Sequence, residues 1–232
     1  MGKKRVKKKG KNKKALRPSY RQPLKQAFQK ALKAIGPRNW WPGDTPFEII
    51  VGAILTQNTA WKNVAKAIEN LKQKDLLHPK KMNLVNEKSL ALAIRSSGYY
   101  NMKAKKLKAF LNFFYEEYQG SIKKMKRESL EILREKLLNV HGIGPETADS
   151  ILLYALEKPS FVVDAYNKRI FSRHDLFSEK ISYDEVRNLF MKNLEKDSYL
   201  YNEYHALIVY IGHHYCKTNP LCEKCPWNWI EF

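Results

Sequence analysis

The sequence predicts an all-α fold. Three observations carry that reading. Apolar residues recur at three- and four-residue spacing along most of the 232-residue chain. The breaks between those runs are short and marked by Gly, Pro or Ser. Alternating strand patterns are missing except at Phe161-Val162-Val163, which is too short to count.

The elements follow in order. Leu24, Phe28, Ala31, Leu32 and Ile35 form one helical face, ended by Gly36-Pro37. Residues 38–46 (RNWWPGDTP) read as a loop. Thr45 and Pro46 then supply N-cap and first-turn residues for a helix through Phe47, Ile50, Val51, Ile54 and Leu55. Thr59 is placed to cap the next helix, with Val64, Ala65, Ile68 and Leu71 inward. Further helices are expected over 84–94, ended by Ser96-Ser97-Gly98, and over 103–118, 130–138, 146–156, 184–194 and 199–215.

Composition narrows the function. The formal net charge is +20, and the first seventeen residues hold ten Lys or Arg and no acid. Removing them leaves 33 basic against 23 acidic residues, so the remainder is basic too. A polyanionic partner is expected, with residues 1–19 as a disordered basic tail. No run of about eighteen apolar residues exists to span a membrane, and no apolar segment follows the charged N-terminus as in a secretory signal. Three cysteines clustered between 216 and 225 are no disulfide framework. An intracellular protein is expected.

The stretch VHGIGPETAD (140–149) is a tight turn between two helical runs. Gly142 and Gly144 are read as permitting positive φ and close backbone approach, and Pro145 suits the first helical position. Ile143 and Val140 can plug between the helices while amides face an anion.

With this turn in place, five motifs stand in one order: AILTQNTAW (53–61), SGYYNMKAKKL (97–107), VHGIGPETAD, FVVDAYNKR (161–169) and CKTNPLCEKC (216–225). From Trp40 to Cys225 the chain resembles the helix–hairpin–helix DNA glycosylases of the endonuclease III superfamily. The resemblance implies two helical lobes with DNA across the cleft between them. One lobe would span 47–156 and carry the hairpin. The other would combine 20–46 with 157–232 and its cysteine loop. The implied partner is double-stranded DNA bearing a damaged base, bound by a monomer. Gln57 would fill the gap left by the flipped base, and Gly142, Ile143, Gly144 and Thr147 would contact DNA.

The resemblance places the catalytic aspartate at Asp164. A carboxylate suits the role, because breaking an N-glycosidic bond builds positive charge on the sugar. By spacing alone, Asp164 reads as the N-cap of the segment after it. Bifunctional members carry a lysine eighteen residues before that aspartate, where this chain has Glu146. A carboxylate cannot form an imine, so the implied reaction is monofunctional hydrolysis. RNWWPG and LTQNTAW further resemble the 3-methyladenine DNA glycosylase III branch, which implies Trp40, Trp41, Pro42 and Trp61 as walls of a base pocket. An N-alkylated purine is cationic and stacks well on indole, and Glu146 would favour that charge. Tyr166 stands where endonuclease III has histidine.

Cys216, Cys222 and Cys225 resemble the iron–sulfur loop of endonuclease III, whose fourth ligand would fall near Glu231. Three readings stay open: an iron–sulfur cluster, no metal, or zinc held by the cysteines with His213 or His214. The rival functions are a bifunctional glycosylase/lyase and a non-catalytic helix–hairpin–helix DNA-binding module.

Overall fold

A computed structural model describes residues 20–228. The basic tail (1–19) and Glu231 lie outside the described residues. The described chain is helical, with no strand among its residues, and no helix in it is long and apolar enough to cross a membrane.

Helix α1 (Arg21–Ile35) buries Leu24, Ala27 and Ala31 and ends at Gly36, whose φ of 82° lets its N–H return to the Leu32 carbonyl. After the loop, Thr45 caps α2 (Pro46–Leu55) by accepting from Glu48 N at 3.1 Å. Eight of the ten α2 residues are buried, which makes this helix the centre of its lobe. Helix α3 (Trp61–Gln73) departs from expectation at its start. Ala60 is the N-cap, and the Thr59 hydroxyl donates instead to Ser97 O at 2.5 Å. Val64, Ala67, Ile68 and Leu71 face inward, while Ala65 is exposed.

The helix expected at 84–94 is α5 (Glu87–Ala93), and a separate short helix, α4 (Pro79–Leu84), precedes it. Val85 turns extended between them and Asn86 caps α5 through Ser89 N at 2.8 Å. Helix α6 (Tyr100–Tyr118) begins three residues earlier than its apolar spacing indicated. A further short helix, α7 (Ile122–Arg127), was not anticipated, because it buries only Met125 and so shows no periodicity. Then come α8 (Leu130–Leu138) and α9 (Pro145–Ser150), which runs on as a π-helical segment, Ile151–Ala155. Phe161, Val162 and Val163 are buried without forming a strand. Helices α10 (Ala165–Arg173), α11 (Tyr183–Asn193) and α12 (Ser198–His214) complete the fold.

Two hydrophobic cores define two lobes. The first joins α2, α3, α5, α6, α8 and the hairpin, through residues such as Ile54, Leu107, Phe110, Leu133 and Ile143. The second joins α1 to the C-terminal helices. It is rich in rings: Phe161 stacks on Phe190 with centroids 4.2 Å apart, and Trp227 donates its indole N–H to Ala27 O at 2.8 Å. The π segment lies on the seam, with Ile151 and Leu152 in the first core and Leu153 and Tyr154 in the second.

A buried ionic cluster ties α8 and α9 to the second lobe. Asp149, fully buried, accepts from Arg134 Nε at 3.0 Å and from Arg187 Nε at 3.1 Å, and also from the Ser160 hydroxyl. Arg134 reaches Asp184 as well, at 2.7 Å. These charge-assisted bonds hold residue 160, just before the Asp164 segment, against the helix that carries Glu146.

Candidate active site

The hairpin turn closes through Ile143 N, which donates to Val140 O at 3.0 Å. Gly142 occupies the third turn position at φ 84°, a conformation that favours glycine, and a Cβ there would meet the Lys106 side chain at 2.3 Å. Gly144 differs from expectation: its φ is −92°, it serves as N-cap of α9, and a Cβ on it would meet nothing within 4 Å. Pro145 takes the first helical position as anticipated. Ile143 is buried and its amide is spent on the turn, so its part in the hairpin is to plug the core. Thr147 is buried too, and its hydroxyl accepts from Gln57 Nε2 at 2.9 Å rather than facing outward. Gln57 also donates to Gly142 O at 3.0 Å and accepts from Lys106 Nζ.

Across the seam, Asp164 is the N-cap of α10. Its Oδ1 accepts from Asn167 N at 3.0 Å, while Asn167 Oδ1 accepts from Asp164 N at 3.0 Å, a closed capping box. The other oxygen, Oδ2, lies 3.5 Å from His205 Nε2. His205 Nδ1 pairs with the Tyr154 hydroxyl. Tyr154 is in turn packed on Trp41 with centroids 4.9 Å apart, and Trp41 meets Trp61 edge-on at 5.3 Å. Gly52 of α2 faces both indoles, and a Cβ on it would make an ordinary contact with Trp41 Nε1 at 3.4 Å. A continuous run Trp61–Trp41–Tyr154–His205–Asp164 therefore spans the two lobes.

The tryptophan loop is anchored from α12. Glu203, 1% exposed, accepts the backbone N–H groups of Arg38 and Asn39, each at 2.6 Å. Trp40 packs against Trp41 at 5.8 Å. Pro42 and Trp61 line a cleft of about 280 Å³ with Glu48, Ile68 and Lys72, and neither Asp164 nor Glu146 is among its walls. Tyr166 packs on α12 where Gly212 leaves space; a Cβ there would meet Tyr166 Cδ1 at 2.2 Å.

The Glu146 side chain is exposed to solvent, yet neighbouring protein atoms gather around its carboxyl. That crowding pushes its carboxyl pKa up, the nearby Asp164 charge adds to the rise, and His205 partly offsets it. No lysine stands at this position. Burial, then the charges of Asp164 and Glu146, push the Tyr154 phenol well above its usual 10.

Buried polar atoms normally have partners, and most of those that lack one here gather at this site. Trp40 Nε1, Trp41 Nε1, Asn167 Nδ2 and His205 Nε2 are all buried without a hydrogen bond.

The three cysteines line one cavity of about 240 Å³ with Arg173, His174 and Pro220. Cys216 Sγ accepts from Arg173 Nη1 at 3.3 Å and Cys225 Sγ from Trp227 N at 3.4 Å. His213 and His214 are exposed and do not line it, so zinc held by the cysteines with either histidine, one of the three open readings, is not assembled. A cluster takes four ligands. Among the described residues no group of three or more His, Cys, Asp or Glu is placed to hold a metal ion, and the position expected for a fourth ligand, Glu231, lies outside them.

Sequence reasoning did not single out Tyr154, Glu203, His205 or Lys106. A signal existed for two of them: in NEYHALIVYI, an acid and a histidine interrupt a helix that is otherwise apolar and aromatic.

Comparison with known proteins identifies the family. Residues 51–196 match the model of the HhH-GPD superfamily base excision DNA repair proteins. A chain of Methanocaldococcus jannaschii, provisionally named a DNA repair glycosylase, is 52% identical over 197 residues, 84% of this chain and 89% of that one. Endonuclease III of Thermotoga maritima is 30% identical, covering 82% and 83%. Among solved structures, H. pylori 3-methyladenine DNA glycosylase bound to 1,N6-ethenoadenine superposes with a TM-score of 0.72 at 33% identity, over 84% of this chain and 98% of that one. A non-covalent endonuclease III–DNA complex reaches 0.77 at 23% identity, over 90% and 94%, a likeness of fold. The chain belongs to the HhH-GPD superfamily of base excision DNA repair proteins and is a DNA N-glycosylase of the helix–hairpin–helix type.

Proposed function

We propose that the protein is a monofunctional glycosylase that releases alkylated purines such as 3-methyladenine from duplex DNA, acting as a monomer. The observation that carries this reading is the pairing of two carboxylates, Glu146 and Asp164, beside the Trp41–Tyr154 wall, with no amine at the hairpin position. The H. pylori enzyme, at 33% identity, supports the substrate class.

In this reading the flipped base stacks on the indoles of Trp40, Trp41 and Trp61, which offsets the loss of stacking in the duplex. The C1′–N bond breaks with its electron pair passing to the base, which discharges the positive charge that alkylation placed there. Asp164 faces the sugar as its oxocarbenium character grows, and water adds to C1′ and gives up a proton. Gln57, Gly142 and Gly144 meet the DNA; the N–H groups of both glycines have no acceptor among the described residues.

A panel of duplexes with methylated, oxidised and mismatched bases tests the proposal, paired with borohydride reduction. Release of the methylated purine without a covalent adduct is expected. Release of oxidised pyrimidines alone, or efficient trapping, overturns it.

A further inference from the structure

His205 is 4% exposed, and its two ring nitrogens face different groups. Nδ1 pairs with the Tyr154 hydroxyl. Nε2 has no hydrogen-bond partner and lies 3.5 Å from Asp164 Oδ2. The hydrogen positions follow from the partners. The buried Tyr154 phenol keeps its proton, and with that phenol as donor Nδ1 is the acceptor. A neutral imidazole that accepts at Nδ1 carries its own hydrogen at Nε2, on the side of Asp164. Asp164 Oδ1 is already engaged by Asn167 N, so Oδ2 is the oxygen left for chemistry. It is the acceptor nearest to Nε2, at 3.5 Å.

We propose that His205 is a positioning residue for Asp164: its Nε2–H, oriented by Tyr154, fixes Oδ2 toward the sugar and steadies that oxygen's charge while the glycosidic bond breaks. From 3.5 Å the two atoms must approach and align to close a full hydrogen bond, a rearrangement assigned to the DNA-bound state. The inference rests on the reading of Asp164 as the acid that stabilises the sugar.

Single-turnover base release, with enzyme in excess over the duplex that the wild type processes fastest, tests it. His205→Ala is expected to slow release about tenfold, the scale of one charge-assisted hydrogen bond, with duplex affinity unchanged. His205→Gln places an amide N–H near the position of Nε2 and is expected to recover most of the rate. Asp164→Asn is expected to lose about a hundredfold or more. Wild-type rates in His205→Ala, or no recovery in His205→Gln, overturn the inference even when Asp164→Asn is inactive. An active Asp164→Asn overturns the underlying reading instead. If His205→Ala does not fold, Tyr154→Phe decides: it keeps the ring, frees the imidazole tautomer, and is expected to slow release several-fold. A wild-type rate in that variant overturns the inference.

Discussion

The Gln57 side-chain amide donates to the carbonyl oxygen of Gly142 across 3.0 Å, joining loops 85 residues apart in sequence. With Thr147 and Lys106 as its other partners, the amide is fully engaged in the free protein. Entering a duplex would exchange all three bonds for contacts in the gap left by the flipped base. Gln57→Ala is therefore expected to bind a lesion duplex about tenfold more weakly, near 1.4 kcal/mol, while folding normally. Fluorescence anisotropy at fixed salt measures it; an unchanged Kd removes Gln57 from the binding surface.

Glu146 gives a dependence on pH. Its folded pKa is raised above the ordinary 4.5, first by burial and then by Asp164. Across the window between the two values the folded protein holds this proton and the unfolded chain does not. Stability from this group is therefore highest below the window and falls as pH rises through it. Glu146→Gln is expected to be more stable than wild type above the window and equal to it below. The same variant should lose preference for a cationic over a neutral purine. Thermal melts and paired release assays across acidic pH check both, and a parallel stability difference at every pH contradicts the assignment.

Lys103 is 2% exposed and donates to Leu55 O, Thr59 Oγ1 and Ser97 O at 2.8, 2.7 and 2.6 Å. It joins the end of α2 to the stop before α6. Lys103→Met leaves the buried Leu55 carbonyl unpaired, while Ser97 O keeps its bond from the Thr59 hydroxyl, and should cost about 1–3 kcal/mol. Burial, with Lys106 adding, lowers its pKa from 10.5 to about 8. Between those values the unfolded chain binds the proton and the fold does not, so stability from this group climbs with pH. Urea titrations from neutral to alkaline pH should show that climb in wild type and not in Lys103→Met.

Asp149 balances two arginines with its fully buried carboxylate. Asp149→Ala leaves the guanidinium of Arg187, itself 8% exposed, without its carboxylate. A loss of about 3–5 kcal/mol is expected by chemical denaturation. A change below about 1 kcal/mol would mean that Asp184 and Ser160 suffice.

The helices with a strong apolar face were readable because burial on one side imposes the 3.6-residue period; α1, α2, α8, α11 and α12 all appear close to where that period places them. Helix α7 was hidden, since one buried methionine makes no pattern. The division of α4 from α5 turned on the capping of Asn86, a local bond that periodicity does not report. At the site, both the bland and the functional reading of Asp164 describe the same side chain: one oxygen caps α10 and the other faces His205. Gly144 shows the opposite case, because a repeated glycine suggested a conformation that only Gly142 adopts. Glu203 and His205 could not be assigned partners from sequence, since each meets a loop or segment more than 40 residues away.

The π-helical segment Ile151–Ala155 has a consequence for how the site is encoded. Its wider turn, with Leu156 N bonded to Ile151 O, accommodates one residue more than an α-helical turn. Closing this segment as α-helix with no residue removed would turn the chain beyond it by about 100° around the axis and carry Tyr154 part of that way, off its alignment with Trp41 and His205. The alignment of the indoles with the acid is thus written in backbone register. Scans that exchange side chains one at a time leave that register intact; an insertion–deletion scan across 150–156 would expose it.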